Sequence, residues 1–363
     1  MPGSTRPLPV VAAAVVFYAA FTLGALALHG WNPLWFVWIG ERYASGDPHG
    51  RTGYDGQFIY YIARDGRAAL PHLDNPPYRL QRILYPALVR ALSGGDAALI
   101  PWAMIAINAA AILAATLLVT RWLAAHGLSR WYGLVYPLFV GTFMAYSRDL
   151  TEPLACALGL AGTVSWLNER RATAVVLLAL AALARETMVL FAVGLALAEL
   201  VERRWSHLGA LALVFPPMLA WQFAVRAALG ALPAAHGATL SLPGAGMLSD
   251  LSLEPGRLSA LLFVAVPTLA LAPLVVRWVA GAPREPTTWL VAVQWVFALL
   301  FGPSVHLHVL AASRNSTALL LALLLAFPRC APRLRAAVAA WAMAPTAVWL
   351  GPVLWWAPWT AKI

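Results

Sequence analysis

The chain alternates long apolar runs with short polar breaks. Stretches such as Leu8–Leu28 and Ala97–Thr120 are continuously apolar. They lack the apolar/polar alternation, over segments of roughly ten residues, that a β-barrel requires. Lipid offers no partner for backbone polar groups, so such runs predict helices. Runs bounded by charge or Pro/Gly clusters place spans at 8–29, 98–120, 131–146, 153–167, 172–184, 187–201, 208–229, 258–276, 287–302, 316–327 and 336–357, about eleven in all, within ten to twelve. Several fall short of the roughly 20 residues that cross a hydrocarbon core. In the pairs 131–146/153–167 and 172–184/187–201, short helices put a charged turn below the membrane surface. Such turns are tolerated only where they line a watery or substrate cavity.

Composition agrees with this pattern. The 363 residues are 61% hydrophobic and 11% charged, with mean hydropathy +0.72. Soluble domains average roughly 45–50% apolar and about 25% charged. Too few charges remain to cover a water-facing surface, which excludes a soluble enzyme, a disordered chain and a disulfide scaffold. The expectation is an all-α polytopic membrane protein, one transmembrane domain over 1–363. Cys156 and Cys330 have no metal-ligand spacing and read as packing residues. The apolar run within 1–27 exceeds the usual 7–15 residues of a signal h-region, so it reads as a retained first span. No internal repeat of the kind found in inverted-repeat transporters is visible.

The net charge of +10 rests on arginine, with Lys362 the single lysine. With a cytoplasmic N-terminus, Arg6, Arg121, Arg130, Arg170, Arg171, Arg203, Arg204, Arg277, Arg284, Arg329, Arg333 and Arg335 fall inside. The short outer loops then carry only Arg148, Arg185, Arg257 and Arg314, a positive-inside pattern. The same orientation places most acids at the outer face, which points the chemistry outward. It implies a multi-pass membrane protein with its N-terminus in the cytoplasm, and no nucleic-acid role for the basic charge.

The first outer loop, 30–97, is the largest extramembrane segment. Trp31, Trp35, Phe36 and Trp38 read as an interfacial helix that anchors the loop. Next, Gly53-Tyr54-Asp55-Gly56-Gln57-Phe58 permits a tight turn into a helix over 57–64, with Asp55 at or near the N-cap. Two readings stay open: a helix cap, or a functional carboxylate at the membrane surface. In the block Asp74 to Pro86, Arg79 and Arg82 at i, i+3 predict a shared helix face. They suit either a phosphate, which arginine grips with its planar fork, or lipid headgroups.

Tyr54-Asp55-Gly56-Gln57-Phe58 with Ile62-Ala63, then Tyr85-Pro86-Ala87-Leu88, resembles the first outer loop of GT-C superfamily glycosyltransferases. The likeness extends to GPI-anchor mannosyltransferases. It is stronger to bacterial GT-C-like membrane proteins of cell-surface glycopolymer formation, which share the Tyr-Asp-Gly-Gln and Tyr-Arg-x-Gln-Arg blocks. The turns Ser147 to Pro153 and Leu183 to Thr187 add to it, so that it covers roughly residues 8–200. One departure is that Asp55 is followed by Gly56, where many such enzymes carry two adjacent acids. Another is Tyr78, Arg79, Gln81 and Arg82 where the mannosyltransferases carry aromatics.

The resemblance implies a GT-C-like helix bundle that transfers a sugar from a polyprenyl-phosphate donor to a glycan or lipid acceptor on the outer face, with inversion. It implies Asp55 as catalytic base and Arg79 or Arg82 at the donor phosphate, with Arg185 and Arg314 as further phosphate candidates. Tyr54, Gln57, Tyr78, Gln81, Asp149, Glu152, Glu186, His306 and His308 are the substrate or cavity candidates. No cofactor is implied. Asp149 and Glu152, three apart on a turn, could face the cavity, hold a divalent metal with Asp55, or pair with Arg148. Segment 230–257, with His236, is a candidate outer lid. A lipid or sugar transporter and a non-catalytic subunit of a polysaccharide assembly complex are the rival classes.

Overall fold

The computed structural model describes residues 7–233, 240–249, 254–306 and 308–355; it is all-helical, with no strand among the described residues. Five helices are long and apolar enough to cross a membrane: Leu8–Leu28, Ile100–Ala125, Trp205–Leu229, Pro255–Gly281 and Pro332–Trp355. A sixth candidate is the bent pair Val309–Asn315 and Thr317–Arg329, broken by 41°. The count of about eleven spans is not reached by helices of this length. The other apolar runs form the shorter helices Glu152–Leu167, Arg171–Ala184, Val189–Val201 and Pro286–Leu299. The run 131–146 is not one helix. A 3-10 segment, Arg130–Val135, is followed by a break around Pro137 and then by helix Val140–Ser147. Proline lacks the amide hydrogen that a continuous helix would need there.

The centre of the molecule is the helix Thr317–Ala326, apolar along nearly its whole length and buried at every residue. A helix hydrophobic on all sides must be enclosed by others, and Pro286–Leu299, Ile100–Ala125 and Glu152–Leu167 pack around it. The long helices instead expose Leu8, Val16, Leu23, Leu213, Phe223, Leu262 and Val276. Such an apolar coat suits a lipid bilayer.

Helices Glu152–Leu167 and Arg171–Ala184 pack along one another and give the molecule two ends. At about 1.5 Å per residue the first spans roughly 24 Å. One end gathers basic loops: Arg171 pairs with Glu169, Arg204 with Glu199, and Arg284 with Glu202. The opposite end holds Glu152 and Arg185.

Loop 30–97 is folded over that second end. It contains the short helices Leu34–Val37, Glu41–Ala44, Gly56–Asp65, Pro76–Leu80 and Leu84–Ser93. Phe58, Tyr61, Tyr85 and Val89 make a small core of their own with Ile100 and Met104 at the start of Ile100–Ala125. The candidate lid 230–257 is described in part, and His236 lies outside the described residues. Within it, Gly244 N donates to Leu299 O (2.7 Å), which ties the segment to the bundle, and buried Arg257 donates from Nη2 to Met247 O (2.7 Å), which closes the segment on itself.

Candidate functional site

Three glycines let the first loop fold tightly around Asp55. Gly53 has φ +68, and a Cβ there would lie 2.5 Å from Gly40 N and 2.6 Å from Trp38 O. A Cβ on Gly40 would lie 2.2 Å from Arg51 O, so two backbone segments touch back to back. Gln57 fastens this crossing: its Oε1 accepts from Gly40 N (3.1 Å) and its Nε2 donates to Thr52 O (2.7 Å). Its amide therefore serves the loop and not the cavity. Gly56 packs on the turn after Val140–Ser147, where a Cβ would stand 2.4 Å from Arg148 O. That contact accounts for the glycine after Asp55: a second acidic side chain there would collide with the turn.

Asp55 stands at the N-cap of Gly56–Asp65, yet its side chain makes no capping bond. The carboxylate points instead at two guanidiniums. Oδ1 is 3.0 Å from Arg79 Nη2 and Oδ2 is 2.7 Å from Arg314 Nη2. Burial would raise this carboxyl, but Arg79 and Arg314 outweigh it and hold it well below the usual carboxylate range. As it sits, Asp55 is a firmly ionised and weakly basic group.

The network continues in both directions. Arg79 also donates from Nε and Nη2 to Asp74 (2.7 Å each), and its guanidinium lies 4.2 Å from the Phe58 ring. Arg314 lies 3.6 Å from Glu152, and Glu152 pairs with Arg185 at 2.8 Å. Arg185 also donates to Asn315 Oδ1 (2.6 Å), a partner with no signal in the sequence. Arg82 donates to both oxygens of Glu186 (2.9 and 2.8 Å) and to Tyr78 Oη (2.6 Å). Burial raises the Glu186 carboxyl, but Arg82 prevails and lowers it to about 2. Asp55, Arg79, Arg82, Glu152 and Arg314, with Phe58, Ile59, Ile62 and Leu150, line a small pocket of about 20 Å³. That is room for about one water. Three arginines and two carboxylates meet there over an apolar floor, and each arginine is already engaged by an acid.

Several expectations change. Arg79 and Arg82 do not share a helix, because Pro76–Leu80 ends before Arg82. They converge on the pocket from a helix and from the turn after it. Asp149 and Glu152 do not face one cavity. Glu152 enters the pocket, whereas Asp149, with φ +48, is fully buried beside Asn108, whose Nδ2 is 3.5 Å from Oδ1. Burial pushes the Asp149 carboxyl far up, against the weaker pulls of Asn108 and Arg148. Neither acid forms a salt bridge with Arg148, whose guanidinium lies over Trp35 and Trp38. His306 and His308 lie elsewhere: His306 is buried near Phe301, while His308 caps Leu310 N (3.2 Å) near Trp349. Gln81 is buried just behind the pocket-lining Arg82, and Tyr54 lies 5.3 Å under the Arg314 guanidinium.

Among the described residues, no three His, Cys, Asp or Glu side chains converge as a metal set. The acids beside Asp55 are engaged by arginine instead. No family model matches the chain, and no curated protein or solved structure matches it.

Proposed function

We propose that this chain is a membrane glycosyltransferase of GT-C type, with a bundle of about eleven membrane-crossing segments, short ones included. It transfers a sugar from a polyprenyl-phosphate donor to a glycan or lipid acceptor on the extracytoplasmic face. The observation that carries the reading is Asp55, lodged in its Tyr-Asp-Gly-Gln block between Arg79 and Arg314. An inverting transfer needs a carboxylate base and a cation for the departing phosphate in one place, and here they touch.

In this reading the donor phosphate takes up Arg79 and Arg314. Their pull on Asp55 is then shared, and the carboxylate becomes more basic as the donor arrives. Asp55 accepts the acceptor hydroxyl proton while the acceptor oxygen bonds to the anomeric carbon. The bond from that carbon to the phosphate oxygen breaks, and polyprenyl phosphate leaves on the arginines. Arg82 and Arg185 hold Glu186 and Glu152 and keep the second rank of the network in place. In this reading the site lies near the bilayer edge, where a polyprenyl tail can reach it.

The test is incubation of purified protein with polyprenyl-phosphate sugars. Transfer to a glycan or lipid, or slow hydrolysis, is the expected result. Binding with no turnover across a panel of sugars would overturn the enzyme reading. One observation favours a lipid transporter in that event: Arg314 sits at the end of a helix broken by 41°, an arrangement transporters use at their sites. Movement of a fluorescent polyprenyl-phosphate sugar across proteoliposomes separates the two.

A further inference from the structure

The turn that closes helix Val140–Ser147 holds an ionisable group that the chemistry above leaves idle. Asp149 N donates to Tyr146 O (3.2 Å) and Leu150 N to Ala145 O (3.0 Å), the paired bonds of a helix end that finishes in a left-handed residue. Glycine or asparagine usually fills that place; here it is Asp149, with φ +48. Its carboxyl is fully buried, and so is Asn108 beside it on the membrane-spanning helix Ile100–Ala125. Asn108 Nδ2 reaches Asp149 Oδ1 at 3.5 Å, a long bond. The other oxygens of the two groups, Asp149 Oδ2 and Asn108 Oδ1, receive no hydrogen bond among the described residues.

The protons nearby are committed elsewhere. Arg148, Tyr85 and Tyr146 are the charged or titratable groups that face this carboxyl. Arg148 donates from Nη1 to Ser147 O (2.7 Å) and lies over the Trp35 and Trp38 rings; burial outweighs its pull on Asp149. Tyr85 Oη donates to Met104 O (3.1 Å), and Ser147 Oγ donates to Met144 O (3.0 Å). Thr22 Oγ1 donates to Tyr18 O (2.8 Å), so in its 2.6 Å contact with Tyr146 Oη the tyrosine is the donor. A hydroxyl carries only one hydrogen. Two buried oxygens on touching side chains are therefore one proton short. An ionised carboxylate there would be stripped of water with a single long bond to hold it, which is costly.

We propose that Asp149 keeps its own proton at neutral pH and donates it from Oδ2 to Asn108 Oδ1, closing a neutral acid–amide pair. One proton then satisfies both oxygens. The pair pins the turn to helix Ile100–Ala125. The next three residues, Leu150, Thr151 and Glu152, line the Asp55 pocket, and Gly56 packs on Arg148 O. Asp149 is thus a positioning residue for one wall of the pocket, and it acts by being neutral. The pair rests on the fold alone and holds whether or not the glycosyltransferase reading does.

The experiment is infrared difference spectroscopy of the purified protein against Asp149→Asn at neutral pH. The C=O stretch of a protonated carboxyl, shifted in heavy water, should be present in the parent and missing from the variant. Asn108→Ala should move that band to higher frequency, because the carbonyl loses its donor. Absence of the band would overturn the proposal, and so would a band that Asn108→Ala leaves in place. A band that sodium ions abolish would mark a cation site and overturn it too. Thermal unfolding supplies a test that does not need the Asn108 variant. Folded Asp149 holds a proton that the unfolded chain releases above about pH 4. Raising the pH therefore favours unfolding, by up to about tenfold in the equilibrium per pH unit. The Tm of the parent should fall relative to that of Asp149→Asn between about pH 5 and pH 7, and parallel profiles would overturn the proposal. Asp149→Gly separates side chain from backbone. Glycine suits the left-handed turn, so an idle side chain predicts a Tm equal or higher, whereas loss of the pair should lower it.

Discussion

At the scale of single residues, the distinction between a cap and a working carboxylate decides what Asp55 is. Its side chain makes no capping bond, so Asp55→Asn should leave the helix intact. Turnover should fall by about 10²–10⁴-fold, the usual worth of general-base catalysis, while donor binding holds or tightens because the arginines lose a competitor. A stopped assay with separate donor binding reads both. Asp149→Asn is the control: its carboxyl is raised by burial, so a neutral amide should leave activity near normal. Arg314→Ala tests the electrostatics. Removing a nearby cation raises the Asp55 carboxyl, so the acid limb of kcat/KM should move to higher pH; an unmoved limb would assign it to another group. The motif around Asp55 was legible in the sequence because aspartate and its flanking glycines are adjacent there. Asn315 and the split between Asp149 and Glu152 were not, since they depend on which way a tight turn aims successive side chains.

At the scale of elements, the site is a junction of turns, and glycine sets how closely they meet. Gly56→Ala would push a Cβ to 2.4 Å from the Arg148 carbonyl. Overpacking of this kind costs about 1–3 kcal/mol, so Gly56→Ala should unfold at a lower temperature and lose activity together, where Asp55→Asn loses activity alone. Arg82→Ala should weaken donor binding less than Arg79→Ala does, because Arg79 touches Asp55 while Arg82 is tied to Glu186 and Tyr78. Equal losses would place the phosphate across both. Apolar runs announced most of the helices. They could not announce the end of the helix at Leu80 or the 3-10 segment at Arg130–Val135. The second break falls at Pro137, beside the close packing of Gly133 against Thr120, whose Oγ1 would lie 2.1 Å from an added Cβ.

At the scale of the whole molecule, charge is divided between two ends. Arg171, Arg204 and Arg284 meet Glu169, Glu199 and Glu202 at one end of the short helices, while Asp55 and its arginines occupy the other. Hydropathy made the membrane setting legible, but it could not count the crossings, because helices of fewer than about 20 residues span only if neighbours shield their ends. In the proposed orientation, read from arginine bias, the basic end faces the cytoplasm and loop 30–97 faces out. Ser45 is exposed on that loop, and the two native cysteines are buried. A Ser45→Cys variant therefore carries one readily accessible thiol. It should react with a membrane-impermeant maleimide added to intact cells, at a rate unchanged by lysis. Labelling that appears only after lysis would turn the molecule over. The Asp55 pocket would then open to the cytoplasm, where soluble nucleotide sugars are the common donors, and the case for a lipid-linked donor would fall with the orientation.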